Sequence, residues 1–138
     1  DEEKAKVCFE KATVGSAEPQ QAFYYNDQQP DKIFYQGLAW RALGDENRAR
    51  GCFNKLIKHG EKHLFDTCRI DYFAVSLPDL AIWEDDLNKR NRIHCNYVMG
   101  LGYLGLDEIP EAAGFLDKVI ELDINHQGAQ IHRSLCDA

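Results

Sequence analysis

The 138 residues suit one domain, because a chain of this length buries a substantial core without disulfides or metals. Its net charge of −7 argues against nucleic acid or an anionic membrane surface as the main partner, since phosphate binding needs a basic stripe. No run approaches the roughly 18 apolar residues of a membrane span, so we also expect no membrane insertion.

The five cysteines are odd in number and contain no Cys-x2-Cys pair. They therefore indicate free thiols rather than a disulfide framework or a zinc finger. Free thiols usually pack as small buried hydrophobes and indicate a reducing compartment, so we expect a cytoplasmic protein. The chain begins Asp1-Glu2-Glu3-Lys4, without an initiator methionine or a leader, as expected of a fragment of a longer protein.

The first predicted element is a partial repeat unit over residues 1–15, with an alanine and a large apolar residue four positions apart, Ala5 and Phe9. We expect an upstream helix to pair with this unit in the parent protein. A polar insertion over residues 16–30 follows, in which Ser16 and Pro19 are placed to begin a short helix that reaches Tyr24.

Residues 32–63 form the second predicted unit, an antiparallel pair of helices over 32–43 and 45–63. Asp45 is placed to cap the second helix. That helix carries one apolar stripe with the spacing i, i+3, i+4, i+7, i+8, formed by Ala49, Cys52, Phe53, Leu56 and Ile57.

An apolar insert over residues 64–86 separates this unit from the next. Ser76 and Pro78 are placed to cap a short helix, and Asp85 or Asp86 to begin a long one. We expect the insert to fold back onto the repeats, because its ten large apolar side chains cannot all face water. These are Leu64, Phe65, Ile70, Tyr72, Phe73, Val75, Leu77, Leu80, Ile82 and Trp83.

The third predicted unit, residues 87–123, repeats the pattern of the second as helices over 87–105 and 107–123. Gly100 precedes Ala112 by 12 residues (112 − 100), as Gly37 precedes Ala49 (49 − 37). Asp107 is placed as the N-cap of the second helix. A terminal helix over residues 125–136 completes a single helical domain.

These units resemble the tetratricopeptide repeat, a helix-turn-helix unit with the signature W-x2-L-G-x2-Y followed by A-x3-F and P. Met99-Gly100 with Tyr103, and Gly37 with Trp40, match the first part, and Ala49/Phe53 match the second. The resemblance implies an all-α superhelix of antiparallel helix pairs. The chain departs from the family in its spacing, because its repeat alanines are 44 (49 − 5) and 63 (112 − 49) residues apart instead of roughly 34.

The layout also resembles the helical-repeat tail of large multidomain bacterial proteins whose front parts look like carbohydrate-processing enzymes. The segments 70–79 and 86–91 carry that second resemblance. It implies an alternative function, an accessory domain that supports a glycoside hydrolase-like parent enzyme. Aromatic rings for sugar stacking would then be sought at Tyr24, Tyr25, Tyr72 and Trp83.

In the tetratricopeptide family the first helix of each unit lines a groove that binds a partner. Transferred to this chain, the resemblance implies a mainly apolar, aromatic groove that takes a protein or peptide segment, or the upstream domain of the same parent chain. The insert 64–86 is the competing occupant of this groove. The residues implied are Asp31, Phe34, Leu38 and Arg41 from one unit, and His94, Tyr97, Leu101 and Leu104 from the other.

Two patterns with possible chemistry have structural explanations. Residues 100–105 read Gly-x-Gly-x-x-Gly, but no strand precedes them, and the repeat explains Gly100 as a helix-contact residue. His59 and His63 have the spacing of a metal face, with Cys68 and His94-Cys95 as further candidate ligands. We interpret the two histidines as solvent-facing residues near a helix end. We therefore expect no metal, no nucleotide and no catalysis, but a non-catalytic protein-interaction or scaffolding module.

Overall fold

The computed structural model describes residues 1–20, 29–67 and 80–138, with the side chains of the last range described from Leu87 onward. Within these ranges the regular secondary structure consists of helices and includes no strand, which confirms the expected all-α class. None of the described helices is both long and apolar enough to cross a membrane. The helices are α1 Glu2–Ala12, α2 Pro30–Ala42, α3 Glu46–His63, α4 Leu80–Gly105, α5 Ile109–Leu122 and α6 Gln127–Leu135.

The helices α2/α3 and α4/α5 form two packed pairs, joined by turns at residues 43–45 and 106–108. The second turn repeats the first with an offset of 63 residues (107 − 44 = 63). Gly44 and Asp107 both have positive φ, 87° and 61°. In both turns the next backbone N–H donates to the backbone carbonyl of an aromatic residue in the preceding helix. Asp45 donates to Trp40 at 2.9 Å, and Glu108 donates to Tyr103 at 3.0 Å.

The structure of the two turns confirms one predicted N-cap and corrects the other. The Asp45 carboxylate accepts a hydrogen bond from the Arg48 N–H at 3.0 Å, so Asp45 caps α3 as expected. Asp107 was expected to cap α5, but it occupies the left-handed turn position of Gly44, and Glu108 is the N-cap without a side-chain bond. An aspartate tolerates this backbone conformation better than most residues, which is why it can replace glycine there.

Each pair is held by a glycine on its first helix and a large apolar residue on its second. A Cβ on Gly37 would lie 2.7 Å from Cζ of the Phe53 ring, and one on Gly100 would lie 2.8 Å from Leu116. The small residue therefore admits the large one, which confirms that Gly100 is a helix-contact residue. Ala49 and Ala112 are fully buried, as predicted.

A second set of glycines brings the two pairs together where α3 packs against α4. A Cβ on Gly102 would lie 2.7 Å from the Phe53 carbonyl oxygen, and one on Gly60 would lie 2.8 Å from the Cys95 carbonyl oxygen. Both contacts are with backbone, which cannot move aside as a side chain can. Phe53 is thus enclosed from both sides, since a Cβ on Gly105 would collide with its ring.

We expect Gly102→Ala to lower the free energy of unfolding by about 1 kcal/mol, because forcing α3 and α4 apart outweighs the gain in helix propensity. Gly114→Ala is the matched control, since nothing lies within 4 Å of a Cβ there. That variant should raise the free energy of unfolding by up to about 1 kcal/mol. Urea unfolding measures both, and a stabilised Gly102→Ala would contradict the described contact between the pairs.

The insert differs from the prediction in its described parts. α4 begins at Leu80, so Asp85 and Asp86 lie inside the helix instead of capping it. The sequence has no glycine or proline between Leu80 and Met99 that would stop the helix, and acids four residues before Lys89 and Arg90 suit a helix interior. Phe65 is 88% exposed and covers no groove. The caps at Ser76 and Pro78, and the expected fold-back of the apolar side chains from Ile70 to Trp83, lie outside the described residues and side chains.

The segment after α1 is anchored by polar contacts rather than by a helix. Ser16–Gln20 are not helical, which corrects the prediction for the described part of that segment. The buried Gln36 amide donates to the Val14 carbonyl at 3.2 Å, and Lys55 pairs with Glu18 at 2.6 Å. α1 itself has no buried residue, and Phe9 remains 38% exposed beside the C-terminal end of α2.

Candidate functional site

The first helices of the two pairs and the terminal helix line an open cavity of about 360 Å³, here named the α2–α4–α6 cavity. The N-terminal turn of α2 forms one wall, the middle of α4 forms the floor, and the start of α6 forms the other wall. Its lining consists of Gln29, Pro30, Asp31, Arg90, Ile93, His94, Tyr97, Asp123, His126 and Gly128.

A buried polar network at the edge of the cavity ties these three helices together. The Tyr97 hydroxyl donates to the Asp31 carboxylate at 2.8 Å and lies 3.2 Å from Nδ1 of His132. Nδ1 of His132 is 2.7 Å from the Gly128 carbonyl oxygen, which only accepts, so that nitrogen carries the proton. Nε2 of His132 then accepts from the Tyr35 hydroxyl at 3.1 Å. One histidine of α6 thus bonds to side chains of both α2 and α4.

Burial determines the protonation of the groups nearest this network. It raises the pKa of Tyr97, and the neighbouring Asp31 carboxylate raises it further, so the phenol remains a donor. Burial also lowers the pKa of His126, which outweighs the opposite effect of Asp123 and Asp31. The Ala129 N–H donates to Nδ1 of His126 at 3.0 Å, which makes His126 the N-cap of α6. His126 is therefore a neutral ring between two carboxylates at neutral pH.

Four of the eight groove residues implied by the family resemblance lie in the core. Phe34, Tyr97, Leu101 and Leu104 are 2%, 4%, 0% and 8% exposed, and the Phe34 ring packs edge-on against His132 at 5.4 Å. In this conformation the terminal helix, which the sequence did not assign to the groove, covers part of its apolar surface. Of these four residues, only Tyr97 lines the cavity.

The other four residues have different positions, and Asp31 lines the cavity. Leu38 is partly buried and packs against the core. Nε2 of His94 donates to the Gln20 carbonyl at 2.9 Å, and His94 lines the cavity. Arg41 lies outside the cavity lining, where it pairs with Glu46 at 3.0 Å and donates to the Gly105 carbonyl at 2.7 Å. Arg41 thus joins the turn of the first pair to the end of α4.

His59 and His63, interpreted from the sequence as solvent-facing, are instead packed together between α3 and α4. Their ring centroids are 4.6 Å apart, and His94 lies 6.0 Å from His59. The sequence interpretation failed because the side of α3 that carries them faces α4. Nε2 of His59 is buried without a hydrogen-bond partner among the described residues. Burial, together with the nearby His63 and His94, lowers the pKa of His59 to about 4.

This shift predicts a specific pH dependence of stability. Between pH 6.5 and 4 the unfolded chain binds a proton at this histidine that the folded chain does not, so acid favours unfolding. The free energy of unfolding that depends on a neutral His59 is therefore fully present above pH 6.5, and it is lost as the pH falls towards 4. We expect His59→Gln to show a smaller loss of stability across this range in urea titrations. An unchanged slope would contradict the buried neutral His59.

The remaining sequence candidates contribute no site to this picture. The described residues contain no group of three or more histidine, cysteine or acidic side chains that could hold a metal ion. Gly100, Gly102 and Gly105 all lie within α4 and face neighbouring helices. Cys52 and Cys95 are buried as expected, whereas Cys8 is exposed, and Cys68 lies outside the described residues. Tyr24, Tyr25 and Tyr72 also lie outside them, and Trp83 is described only in its backbone.

Sequence reasoning identified the α2 and α4 walls of the cavity but missed the contribution of the α5–α6 turn and α6. No sequence motif marks Asp123, His126 and His132 as site residues. Polar residues near a chain terminus usually face water, so their type alone does not indicate burial. The available signal was the spacing of Ala129, His132 and Cys136, which indicates an inward face on a short helix. No family model matches the chain, and no solved structure matches it.

Proposed function

We propose that the chain is a non-catalytic protein-interaction or scaffolding module of the tetratricopeptide type, and that its partner binds at the α2–α4–α6 cavity. The observation that carries this proposal is the equivalence of the two helix pairs, whose matching residues lie 63 positions apart in the sequence. Motif glycine, motif alanine and large apolar residue occupy equivalent contacts in both pairs, as the family signature requires. A superhelix of such pairs would place the first helices on one side.

The position of the cavity supports binding on that side. Its walls come from α2, α4 and the start of α6, and in the tetratricopeptide family the first helix of each unit lines the partner groove. Walls on three packed helices give a preformed site, which lowers the entropic cost of binding a flexible segment. The partner is a protein segment, from another chain or from the upstream domain of the parent protein.

The chemistry of the lining supports binding over catalysis. The Tyr97 hydroxyl donates a hydrogen bond to Asp31, and Nδ1 of His126 accepts one from a backbone N–H. Neither His132 nitrogen is available, since both already make hydrogen bonds. Among the described residues, the lining contains no serine or cysteine that could act as a nucleophile. The residues around the cavity therefore hold the helices together instead of forming an acid–base pair.

A random-peptide library selected against the purified chain tests the proposal without assuming a partner. We expect selected peptides to shift the amide NMR signals of α2, α4 and the start of α6, and to leave the outer faces of α3 and α5 unchanged. Tyr97→Trp, which should crowd the cavity, should weaken their binding, whereas Tyr103→Trp, placed away from it, should not. Failure to select any peptide, or shifts confined to α3 and α5, would contradict the proposal.

A further inference from the structure

The lining of the α2–α4–α6 cavity divides into an apolar wall and a pair of carboxylates. Pro30 is buried, Ile93 is partly buried, and both line the cavity together with the buried Tyr97. Asp31 and Asp123 stand at the start of α2 and the end of α5, on opposite walls. A long side chain with an apolar stem and a cationic end would match this lining, with its stem on the apolar wall and its charge beside the carboxylates.

Both carboxylates retain capacity to accept further hydrogen bonds. Oδ1 of Asp31 accepts from Tyr97 at 2.8 Å, and Oδ1 of Asp123 accepts from the Asn125 N–H at 3.0 Å. The second oxygen of each makes no hydrogen bond to the described residues. Both side chains are only partly buried, so a ligand in the cavity can reach them. An ionised carboxylate accepts charge-assisted bonds, which are about twice as strong as neutral ones.

The other polar groups of the lining leave the cavity negative. His126 is neutral at pH 7 because burial lowers its pKa. His94 already donates to Gln20. The exposed Arg90 is the guanidinium of the described lining, and against the carboxylates of Asp31 and Asp123 it leaves a net charge of −1 (1 − 2). The N-termini of α2 and α6, which favour anions, have Asp31 and Asp123 beside them already. The net charge of −7 adds a long-range preference for a cation.

We propose that this cavity binds the lysine or arginine side chain of a partner segment, with its stem along Pro30, Ile93 and Tyr97 and its cationic end between Asp31 and Asp123. This inference rests on the proposed function and names the chemical class of partner. The cavity of about 360 Å³ has room for one such side chain and part of its backbone. Neutral and acidic segments would leave the carboxylates desolvated without a counter-charge.

A direct test compares labelled peptides that differ in one residue. The probe is a short fluorescein-labelled peptide of glycine and alanine with one central arginine, and the matched peptides carry citrulline or glutamate there. Citrulline keeps the shape of arginine but removes its charge. Fluorescence anisotropy at low ionic strength should give about 10-fold tighter binding for arginine than for citrulline, as expected for a charge-assisted hydrogen bond. The glutamate peptide should bind more weakly still.

Variants of the protein assign this preference to the two carboxylates. Asp31→Asn and Asp123→Asn keep the oxygen that accepts the described hydrogen bonds and remove only the charge. Each should reduce the arginine preference by about 5-fold or more, and the double variant should abolish it. Glu10→Gln, on the exposed α1, removes the same charge elsewhere and should have no such effect. Circular dichroism checks that each variant is folded.

The outcomes separate this inference from the proposed function. Equal affinity for the arginine and citrulline peptides, or an arginine preference that survives in the double variant, would overturn the inference. Failure of the arginine peptide to bind would overturn it as well. If library peptides bind at the cavity but need no basic residue, the inference fails while the proposed function stands. If no library peptide binds, the proposed function fails.

Discussion

Phe53→Ala should lower the free energy of unfolding by about 3–5 kcal/mol, the largest effect that we expect of a single substitution in this chain. The Phe53 ring is completely buried between Gly37 of its own pair and Gly105 of the next. It also packs against Phe34 at 5.9 Å and beneath the Arg41 guanidinium at 5.2 Å. Truncation would leave a cavity where the two helix pairs meet, so both should be loosened together.

Phe9→Ala is the matched control, because Phe9 holds the same motif position in the partial unit. The exposed fraction of Phe9 is 38%, so its truncation should cost only about 1 kcal/mol. Urea unfolding followed by circular dichroism gives both values under the same conditions. Similar losses from the two variants would mean that Phe53 does not occupy the enclosed position between the pairs.

Ala49→Leu and Ala112→Leu should each lower the free energy of unfolding by about 1–3 kcal/mol. Both alanines are fully buried where the second helix of a pair crosses the first, and added methylenes must push the helices apart. The midpoint of thermal unfolding should fall in both variants. Because the sites belong to different pairs, the effects should be close to additive in the double variant.

Ala5→Leu provides the control for these two variants. Ala5 is the alanine of the same motif in α1, but it is exposed, so a larger side chain there can extend into solvent. Its midpoint should stay within the error of the wild type. If the midpoint is unchanged in Ala49→Leu and Ala112→Leu as well, the assigned repeat register is wrong.

The sequence predicts the helix pairs because their packing depends on residues with strong local constraints. Small residues at Gly37 and Gly100, large residues at Phe53 and Leu116, and apolar stripes of helical period all point to one register. One turn was misassigned by a single residue, because Asp107 was read as a cap instead of the equivalent of Gly44. That error shows that a capping residue type locates a turn to within a residue but does not fix its conformation.

The closure of the cavity by α6 was not predictable in the same way. His132 bonds to Tyr35 across 97 residues of sequence (132 − 35 = 97), and no local pattern encodes a contact at that distance. The family resemblance assigned Phe34, Tyr97 and Leu101 to an open groove because the terminal helix was not placed over it. His59 was placed in water for a related reason, since its environment depends on how α4 lies across α3.

The enclosure of Phe53 by two helix pairs is the central structural claim, and nuclear Overhauser effects test it most directly. In a chain labelled at Phe53, the ring protons should show strong effects to the α protons of both Gly37 and Gly105, because a Cβ at either glycine would nearly touch that ring. Gly114, with open space around it, supplies the negative control. Effects to Gly37 alone would contradict the stacking of the two pairs, and effects to neither would contradict the pairs themselves.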